Sequence, residues 1–215
     1  MFVLTSLQRQ SSSYKTNYLS TYTDIRVSRF KKVSSQIWRK AFKKEPTYTL
    51  MPSEQELIDE RVRKIDTLRQ RGINPYPYKF IVTTKSDELH TKYDKLKPQD
   101  ETQDKVSVAG RVMGLRRMGK IAFIHLQDGQ GKIQTYLAKD SLEDYNALKQ
   151  LDRGDFLGVE GTIFKTKTGE ITVKAEKFVI LSKAIRPLPE KYHGLKDKEI
   201  RYRKRYLDMI MNPDV

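Results

Sequence analysis

The chain has 215 residues, a formal net charge of +15 and a mean hydropathy of −0.69. Its apolar runs are far shorter than the roughly 20 residues of a membrane-spanning helix. It contains no cysteine, which excludes disulfides and thiolate metal sites, and its three histidines are too scattered to predict a metal site. The basic balance favours an anionic partner: a nucleic acid, an anionic membrane or an import machinery.

Residues 1–50 carry about half of the excess charge and have the composition of a targeting segment. They contain 10 Lys or Arg, two acidic residues and 14 Ser or Thr, with no acid before Asp24. Apolar residues then follow at helical spacing: Phe30, Val33, Ile37 and Ala41. These features are typical of a transit peptide and predict a mitochondrial location. The alternatives are a basic arm that holds RNA and, through a second start at Met51, a cytoplasmic form.

Residues 51–104 are predicted to form a helical extension. Ser53 and Glu56 have the spacing of a capping box, in which each side chain accepts a hydrogen bond from the other residue's amide. Helical spacing then continues to Gly72, and a second helix is expected over 86–96, followed by a polar loop. The predicted apolar face of the first helix consists of Leu57, Ile58, Val62, Ile65 and Leu68.

Residues 105–183 alternate apolar and polar side chains in five stretches, which is the period of half-buried strands. Between the third and fourth stretches, a short helix is predicted by the spacing of Leu142, Tyr145, Leu148 and Leu151. The order β-β-β-α-β-β is that of the OB barrel, whose second and third strands commonly bind oligonucleotides. The sequence therefore predicts an α+β protein, mainly β, with a five-stranded OB-fold barrel and an N-terminal helical extension.

The second and third predicted strands present an unusual outward face. Phe123 and His125 lie on the polar side of one strand, and Gln134 and Tyr136 lie on the polar side of the next. Aromatic rings can stack on unpaired bases, and a glutamine amide can pair with a base edge. We therefore predict a nucleic-acid site on this face. The alternative is that Phe123 fills a second small core beneath residues 53–96.

Basic residues near this face are expected to attract phosphate groups. Three of them are predicted to lie in the loop that leads into the second strand: Arg116, Arg117 and Lys120. Arg61 and Lys64 lie on the first predicted helix. The predicted contacts to an RNA backbone are Arg117, Lys120, Arg61 and Lys64.

Two other patterns have both a chemical and a structural interpretation. Glu170, beside Lys165 and Lys167, is either a solvated hairpin charge or an acceptor that reads a base, and spacing does not decide between them. The run Gly114–Lys120 matches the start of a phosphate-binding loop, but Ile121 stands where Ser or Thr is required and no helix follows. No nucleophile–base set indicates a catalytic site.

Several motifs together resemble the class II lysyl-tRNA synthetases over about residues 53–213. The most specific is the run from Tyr192 to Asp208, which separates this family from its aspartyl and asparaginyl relatives and from generic OB proteins. The shorter motifs are Val106-Ser-Val-Ala-Gly-Arg111, Met118-Gly-Lys120, Leu126-Gln-Asp128, Lys165-Thr-Lys-Thr-Gly-Glu170 and Arg186-Pro-Leu-Pro189.

The resemblance implies roles for individual residues. Phe123 matches the aromatic residue that stacks on the central anticodon uridine, and Arg116 matches the arginine that helps to hold the anticodon loop. Gln134 and Glu170 match residues that read anticodon base edges. The strand pattern, not the resemblance, adds two further candidate anticodon contacts: His125 and Tyr136.

The resemblance also implies limits. The catalytic domain of this family carries three class II motifs and none occurs here, so neither a catalytic residue nor a cofactor is expected in these 215 residues. ATP and Mg²⁺ would be bound only by a catalytic domain joined after residues 184–215, which are predicted to be a linker and a basic helix over 197–210. The chain is therefore expected to be the N-terminal piece of a lysine–tRNA ligase, or else a truncated gene product.

The function that follows is recognition of the anticodon of lysine tRNA, within lysyl-tRNA aminoacylation. The full-length family is expected to be a homodimer, and no membrane partner is expected. Two alternatives stay open. One is a general single-stranded nucleic-acid-binding OB protein. The other is a catalytically inactive interaction module that dimerises through residues 195–213.

Overall fold

The computed structural model describes residues 52–189, 195 and 197–212. The predicted targeting segment, residues 1–50, and the start proposed at Met51 lie outside the described residues. Within the described ranges, no helix is both long enough and apolar enough to cross a membrane.

Helix α1, Glu54–Gln70, begins at the predicted capping box. The Ser53 hydroxyl accepts a hydrogen bond from the Glu56 amide at 3.2 Å, and the Glu56 carboxylate accepts one from the Ser53 amide at 2.7 Å. Two of the orphan amides at the start of the helix are therefore satisfied locally, which fixes where the helix begins.

The buried stripe of α1 differs from the predicted one. Ile65 and Leu68 lie inward as predicted, but Val62 is 41% exposed and Arg61 is only 9% exposed. The positions 61, 65 and 68 share one helical face, so the arginine occupies a place that the apolar pattern assigned to its neighbour. Its guanidinium serves backbone carbonyls of the barrel, which explains why a charged residue is buried there.

An extended segment, residues 73–85, runs from α1 across the barrel. Its Phe80 ring lies against Gly158, where a side chain would collide with the ring. Near its end, the Thr83 amide donates to the Ser107 carbonyl, and the Thr83 hydroxyl accepts from the Ser107 amide. Helix α2, Ser86–Tyr93, follows and is three residues shorter than predicted. Its buried side chains are Ser86, Leu89 and Tyr93.

Five strands close into a barrel in the order β1-β2-β3-β5-β4. They are β1 Glu101–Met118, β2 Ile121–Gln127, β3 Lys132–Ala138, β4 Phe156–Lys165 and β5 Ile171–Ser182. Neighbouring strands are antiparallel except β3 and β5, which are parallel. Because β1 pairs with both β2 and β4, the sheet closes on itself. The predicted α+β architecture, mainly β with five strands, is confirmed.

The alternation of β2 and β3 divides the interior of the barrel from its outer face, as predicted. Ala122, Ile124 and Leu126 are buried in the core, and the residues between them are partly exposed. The register places Phe123 opposite Tyr136 and His125 opposite Gln134 on the outer side. A one-residue slip would exchange the two sides, so the burial of the core residues fixes which side chains face outward.

The prediction of an α-helix over 141–151 is wrong. Two short 3₁₀ helices, Lys139–Ser141 and Tyr145–Gln150, connect β3 to β4 instead. The apolar residues of this connection recur at every third position rather than at alternating steps of three and four. That is the 3₁₀ period, so the spacing contained the signal for the tighter helix.

Strand β1 is longer than predicted at both ends. Residues 101–104 belong to the strand although they were expected to be loop, and Glu101 pairs with Phe164 of β4. At the other end, Arg116 and Arg117 lie in the strand opposite Phe123 and Ala122, not in the following loop. The turn between β1 and β2 contains only Gly119 and Lys120.

The predicted basic helix over 197–210 is divided. It consists of α3, Lys198–Arg203, and α4, Arg205–Met211, which are separated at Lys204. The side chain of Asp208 is fully buried. Burial raises the pKa of its carboxyl, but hydrogen bonds from Arg201 and Asn212 and the charges of Arg201 and Arg205 outweigh this effect and lower the pKa. The net positive charge of the two helices is therefore partly neutralised within them.

A charged cluster attaches α1 to one end of the barrel. It consists of Arg61, Lys64, Asp152, Asp155 and Lys183. The Lys183 ammonium is fully buried and bonds to the carboxylates of Asp155 and Asp152 and to the Gln150 carbonyl. Lys64 reaches the other oxygen of Asp152 at 2.7 Å. Every charged group of this cluster therefore has a partner.

The pKa values of the two acids of the charged cluster are shifted in opposite directions. Burial raises the pKa of both carboxyls. At Asp152, hydrogen bonds from Lys64 and Lys183 and the charges of both lysines outweigh burial, so its pKa is lowered. At Asp155, burial dominates over the charge of Lys183, so its pKa is raised. Asp155 is the more deeply buried of the two side chains, which accounts for the difference.

Candidate nucleic-acid interface

A concave face with a volume of about 980 Å³ lies on the outer side of the barrel, and all five strands and the turn between β4 and β5 contribute residues to it. Its residues lie in two parallel rows. Side chains two positions apart on one strand point to the same face of a sheet, and each lies beside the residue opposite it on the neighbouring strand. One row is mainly aromatic and the other is polar. Both rows are partly open to solvent, so the face could receive a flat ligand.

The aromatic row contains Phe123, Tyr136 and Phe164, all half-buried. The rings of Phe123 and Tyr136 are 5.2 Å apart and tilted by 54°, and those of Tyr136 and Phe164 are 5.8 Å apart and nearly perpendicular. Arg116 lies opposite Phe123 across one strand pair, and Lys174 lies opposite Tyr136 across another. The Lys174 ammonium is paired with the Glu101 carboxylate at 2.8 Å, whereas Arg116 is exposed. A ring platform with an exposed cation beside it is suited to a stacked base and its phosphate.

The polar row is joined by hydrogen bonds around Gln134. The Thr172 hydroxyl donates to Gln134 Oε1 at 2.9 Å, which directs the amide nitrogen towards Glu170. Gln134 Nε2 donates to Glu170 Oε2 at 2.5 Å. His125 Nε2 lies 3.3 Å from Glu170 Oε1 and 3.4 Å from Gln134 Nε2. Donor and acceptor groups that match a base edge are thus held within one hydrogen-bonded set.

The position of Glu170 is set by the turn between β4 and β5. Gly169 has φ +85°, a left-handed conformation that favours glycine, and its amide donates to the Thr166 carbonyl. The Thr166 hydroxyl accepts a hydrogen bond from the Glu170 amide at 3.0 Å. The turn therefore holds the Glu170 carboxylate beside Gln134 of β3, although Glu170 and Gln134 are 36 positions apart in sequence.

A β-bulge gives the imidazole of His125 its place. The register of β1 with β2 shifts between Val112 and Gly114, and Gly114 lies opposite His125. A side-chain carbon at Gly114 would approach His125 Nδ1 to 3.0 Å. Nδ1 of the ring is thus turned to β1, which leaves Nε2 as the nitrogen that faces the polar groups.

The structure brings together the six predicted anticodon contacts. The residues that line the concave face include Arg116, Phe123, His125, Gln134, Tyr136 and Glu170. The alternative for Phe123, a second core beneath residues 53–96, is not observed, because the ring lies on the concave face beside Tyr136. Their role in RNA binding stays a prediction, since geometry alone does not test it.

The predicted phosphate contacts are placed differently. Arg61 is buried, with its guanidinium donating to the carbonyls of Ala184 at 2.6 Å and of Arg153 at 3.2 Å, so its side chain is withdrawn from solvent. Lys64 is bound to Asp152 and Glu60. Burial alone would lower the pKa of Lys64, but these hydrogen bonds and charges raise it. Both residues therefore have structural partners within the protein, and their contact with an RNA backbone stays a prediction.

The other two predicted phosphate contacts remain exposed but lie away from the concave face. Arg117 donates to the carbonyls of Leu148 and Leu151 at 2.7 and 2.6 Å, which fastens the 3₁₀ connection to β1. Lys120 is exposed in the turn after Gly119. Contact of Arg117 and Lys120 with an RNA backbone stays a prediction.

Four residues of the concave face were missed or undervalued from sequence. Phe164 and Lys174 look like ordinary members of β4 and β5, and only the closure of the barrel brings them beside β3. Lys165 and Lys167 flank the turn that carries Glu170, and both line the face. The signal that could have found Phe164 is the polar-side position of an aromatic residue, which also identified Phe123.

Within the described ranges, no group of three or more His, Asp or Glu side chains is arranged to hold a metal ion.

Comparison with known proteins identifies the class of this domain. Residues 106–181 match the model of a family described as an OB-fold nucleic acid binding domain. The match begins within β1 and ends one residue before the end of β5, so it includes nearly the whole barrel. The fold and the concave face thus define an OB-fold nucleic-acid-binding domain.

Curated relatives narrow the family. The chain is 50% identical over 167 residues to a lysine–tRNA ligase of Lactococcus lactis. The aligned region covers 74% of this chain and 34% of the relative. It is 47% identical over 157 residues to that of Fervidobacterium nodosum and over 163 residues to that of Thermotoga maritima. The chain spans about a third of the length of these relatives. It is the counterpart of the N-terminal anticodon-binding region of the lysyl-tRNA synthetases.

Proposed function

We propose that the concave face binds unpaired anticodon bases of a lysine tRNA, as part of a lysine–tRNA ligase. The observation that carries the proposal is the half-exposed ring of Phe123 on the aromatic row, beside hydrogen-bonding groups two positions away on each strand. Any base can stack on such a ring, and the neighbouring polar row can then test its edge. Arg116, Lys165 and Lys167 supply attraction for the backbone.

The first test of this proposal is the loss of the stacking ring. Phe123→Ala should weaken binding of an anticodon stem-loop with a uridine-rich loop by roughly 1–3 kcal/mol, because one base loses its platform. Fluorescence anisotropy with the labelled stem-loop measures this change. The fold should be retained, since the ring is outside the barrel core.

The matched control is an exposed ring away from the concave face. Tyr78→Ala removes a fully exposed aromatic side chain from the segment between α1 and α2, and it should leave binding unchanged. Equal affinities of Phe123→Ala and the wild-type chain would refute the proposed function. Equal losses in both variants would show that exposed rings act non-specifically.

General binding of single strands is the second candidate, favoured by the sequence tolerance of ring stacking. Competition separates the two functions. The anticodon proposal expects a uridine-rich stem-loop to be bound more tightly than poly-dT of equal length, whereas equal affinity would favour the general binder.

A third candidate is an interaction module, for which the apolar residues exposed on α3 and α4 are the relevant feature: Ile200, Tyr202, Tyr206 and Met209. Homodimerisation of the longer protein is proposed on the same ground. Sedimentation of the chain with and without residues 195–213 decides whether this segment associates. Aminoacylation with lysine and ATP is proposed for the longer protein only.

We also propose that residues 1–50 direct the chain to mitochondria. The proposal is supported by their charge of +8, their Ser and Thr content and the lack of an acid before Asp24. A fluorescent protein fused to residues 1–50 should enter mitochondria, and one fused to the chain that starts at Met51 should stay in the cytoplasm. A uniform distribution of the first fusion would contradict the proposal.

A further inference from the structure

The polar row of the concave face contains one group whose contribution to base choice is unassigned, the imidazole of His125. It lies opposite Gln134 on the neighbouring strand and has 44% of its side chain exposed. Its Nε2 atom approaches Glu170, and its Nδ1 atom is turned to Gly114. The ring therefore offers a single nitrogen to a ligand on the concave face.

The order of hydrogen-bonding groups around Glu170 is the central observation. Gln134 Nε2 lies beside one carboxylate oxygen, at 2.5 Å, and His125 Nε2 lies beside the other, at 3.3 Å. A carboxylate can only accept hydrogen bonds, and the amide nitrogen can only donate them. With a proton on Nε2, the three side chains present a donor, an acceptor and a donor.

The donor role of Gln134 is fixed by its surroundings. The Glu170 carboxylate can only accept, so the Gln134 group that lies 2.5 Å from it is the N–H donor, and Gln134 Oε1 accepts from the buried Thr172 hydroxyl. Glu170 and His125 are each more than two-fifths exposed and have room to turn towards a ligand. One fixed donor and two adjustable groups can therefore follow the edge of a base.

The edges of the two pyrimidines differ in a way that this order can detect. Uracil presents an acceptor, a donor and an acceptor along its pairing edge, at O4, N3–H and O2. Cytosine presents a donor, an acceptor and an acceptor. Gln134 and Glu170 alone could satisfy either base, because a donor beside an acceptor also matches N3 and the amino group of cytosine. A third group is needed to reject cytosine.

We propose that His125 is this third group, a specificity-determining residue whose Nε2–H donates to a uracil carbonyl while Glu170 accepts from N3–H and Gln134 donates to the other carbonyl. Cytosine cannot satisfy all three groups, and it leaves Glu170 or one donor without a partner. Polar groups left unpaired in a binding site are the main source of strong discrimination. The inference rests on the proposed function, because it assigns a role within the same site.

The test compares stem-loops in which one anticodon uridine at a time is replaced by cytidine, each titrated against the whole 215-residue chain. Wild type should prefer uridine at the position that the polar row reads. His125→Ala should reduce this preference roughly tenfold, mainly by weakening the uridine complex. His125→Gln, which retains an N–H donor, should restore part of the preference.

Modified uridines test the same claim on the wild-type chain, independently of any effect of substitution on folding. Sulfur is a weaker acceptor than oxygen, so 2-thiouridine and 4-thiouridine should each weaken binding. In His125→Ala, one of the two analogues should no longer differ from uridine, and that analogue identifies the carbonyl that His125 contacts.

The outcomes separate this inference from the proposed function. Failure of wild type to bind any anticodon stem-loop would overturn both. Wild-type binding with a uridine preference that persists in His125→Ala would overturn the inference alone. So would an equal loss of affinity for uridine and cytidine stem-loops in His125→Ala, because that pattern indicates a packing role.

Discussion

The charged cluster and the concave face use the same kinds of residues in opposite ways. In the charged cluster, Lys183 and Arg61 are buried and fully engaged with carboxylates or carbonyls of the protein. On the concave face, Arg116 is exposed, and the Glu170 carboxylate is itself partly exposed and can turn from Gln134 and His125 towards a ligand. Saturated, buried charge maintains the fold, whereas exposed and exchangeable charge is available to a ligand.

The comparison is tested most strongly at Lys183. Lys183→Met leaves the Asp155 carboxylate buried without its partner and should lower the free energy of unfolding by roughly 3–5 kcal/mol. Urea denaturation measures the change. Lys177→Met, at an exposed position of β5, is the control and should be near neutral. Similar stability of both variants would show that the cluster does not hold the fold together.

Arg61 separates structural from RNA-binding charge more directly. Arg61→Ala removes hydrogen bonds to the carbonyls of Ala184 and Arg153 and should destabilise the fold by about 1–3 kcal/mol. Its affinity for an anticodon stem-loop, measured below the unfolding transition, should equal that of wild type. Arg63→Ala on the exposed side of α1 is the control for stability. Weaker RNA binding by folded Arg61→Ala would restore its predicted phosphate contact.

The pH dependence of stability offers a smaller effect from the same cluster. Because the folded state lowers the pKa of Asp152 below the ordinary value of an aspartate, its ion pairs stabilise the fold at any pH above that ordinary value. The contribution is lost as the pH falls through the lowered pKa. Asp152→Asn should therefore be less stable than wild type by about 1–2 kcal/mol near neutral pH, and the two stabilities should converge in acid.

Urea denaturation of wild type and Asp152→Asn at a series of pH values measures this convergence. A constant difference between the two stabilities down to the lowest pH would contradict the assignment of the ion pairs to the ionised Asp152.

The smallest effect is expected at Arg116, on the concave face. Arg116→Ala should leave stability unchanged and weaken stem-loop binding by about 0.5–1 kcal/mol at moderate salt. The slope of log affinity against log salt concentration should fall by about 0.7, the value for one contact to a single strand. Anisotropy titrations at several salt concentrations give this slope. An unchanged slope would place Arg116 outside the phosphate contacts.

The sequence predicted those features that depend on neighbours along the chain. The capping box at Ser53, the five alternating strands and the outward position of Phe123 follow from local periodicity, and the structure has them all. The connection after β3 was mistaken for an α-helix because its three-residue period was taken for one of 3.6. The sequence contained the three-residue period of a 3₁₀ helix, and only the interpretation of that period was wrong.

Other features could not be predicted because they depend on distant contacts. Arg61 lies inward only because carbonyls 92 and 123 residues away need donors there, and helical spacing does not contain that fact. Phe164 and Lys174 join the concave face only when β4 and β5 close the barrel. Glu170 was ambiguous from spacing alone, and its bond to Gln134 exists only through the parallel pairing of β3 with β5.

The most direct test of the account is to locate the bound RNA on the surface by NMR. In the chain with isotopically labelled Phe and Tyr rings, addition of the uridine-rich anticodon stem-loop should shift the ring signals of Phe123 and Tyr136. Contacts from these rings to base protons should appear, while Tyr76 and Tyr78 stay unchanged. Unchanged signals of Phe123 and Tyr136 at saturating RNA would contradict binding at the concave face.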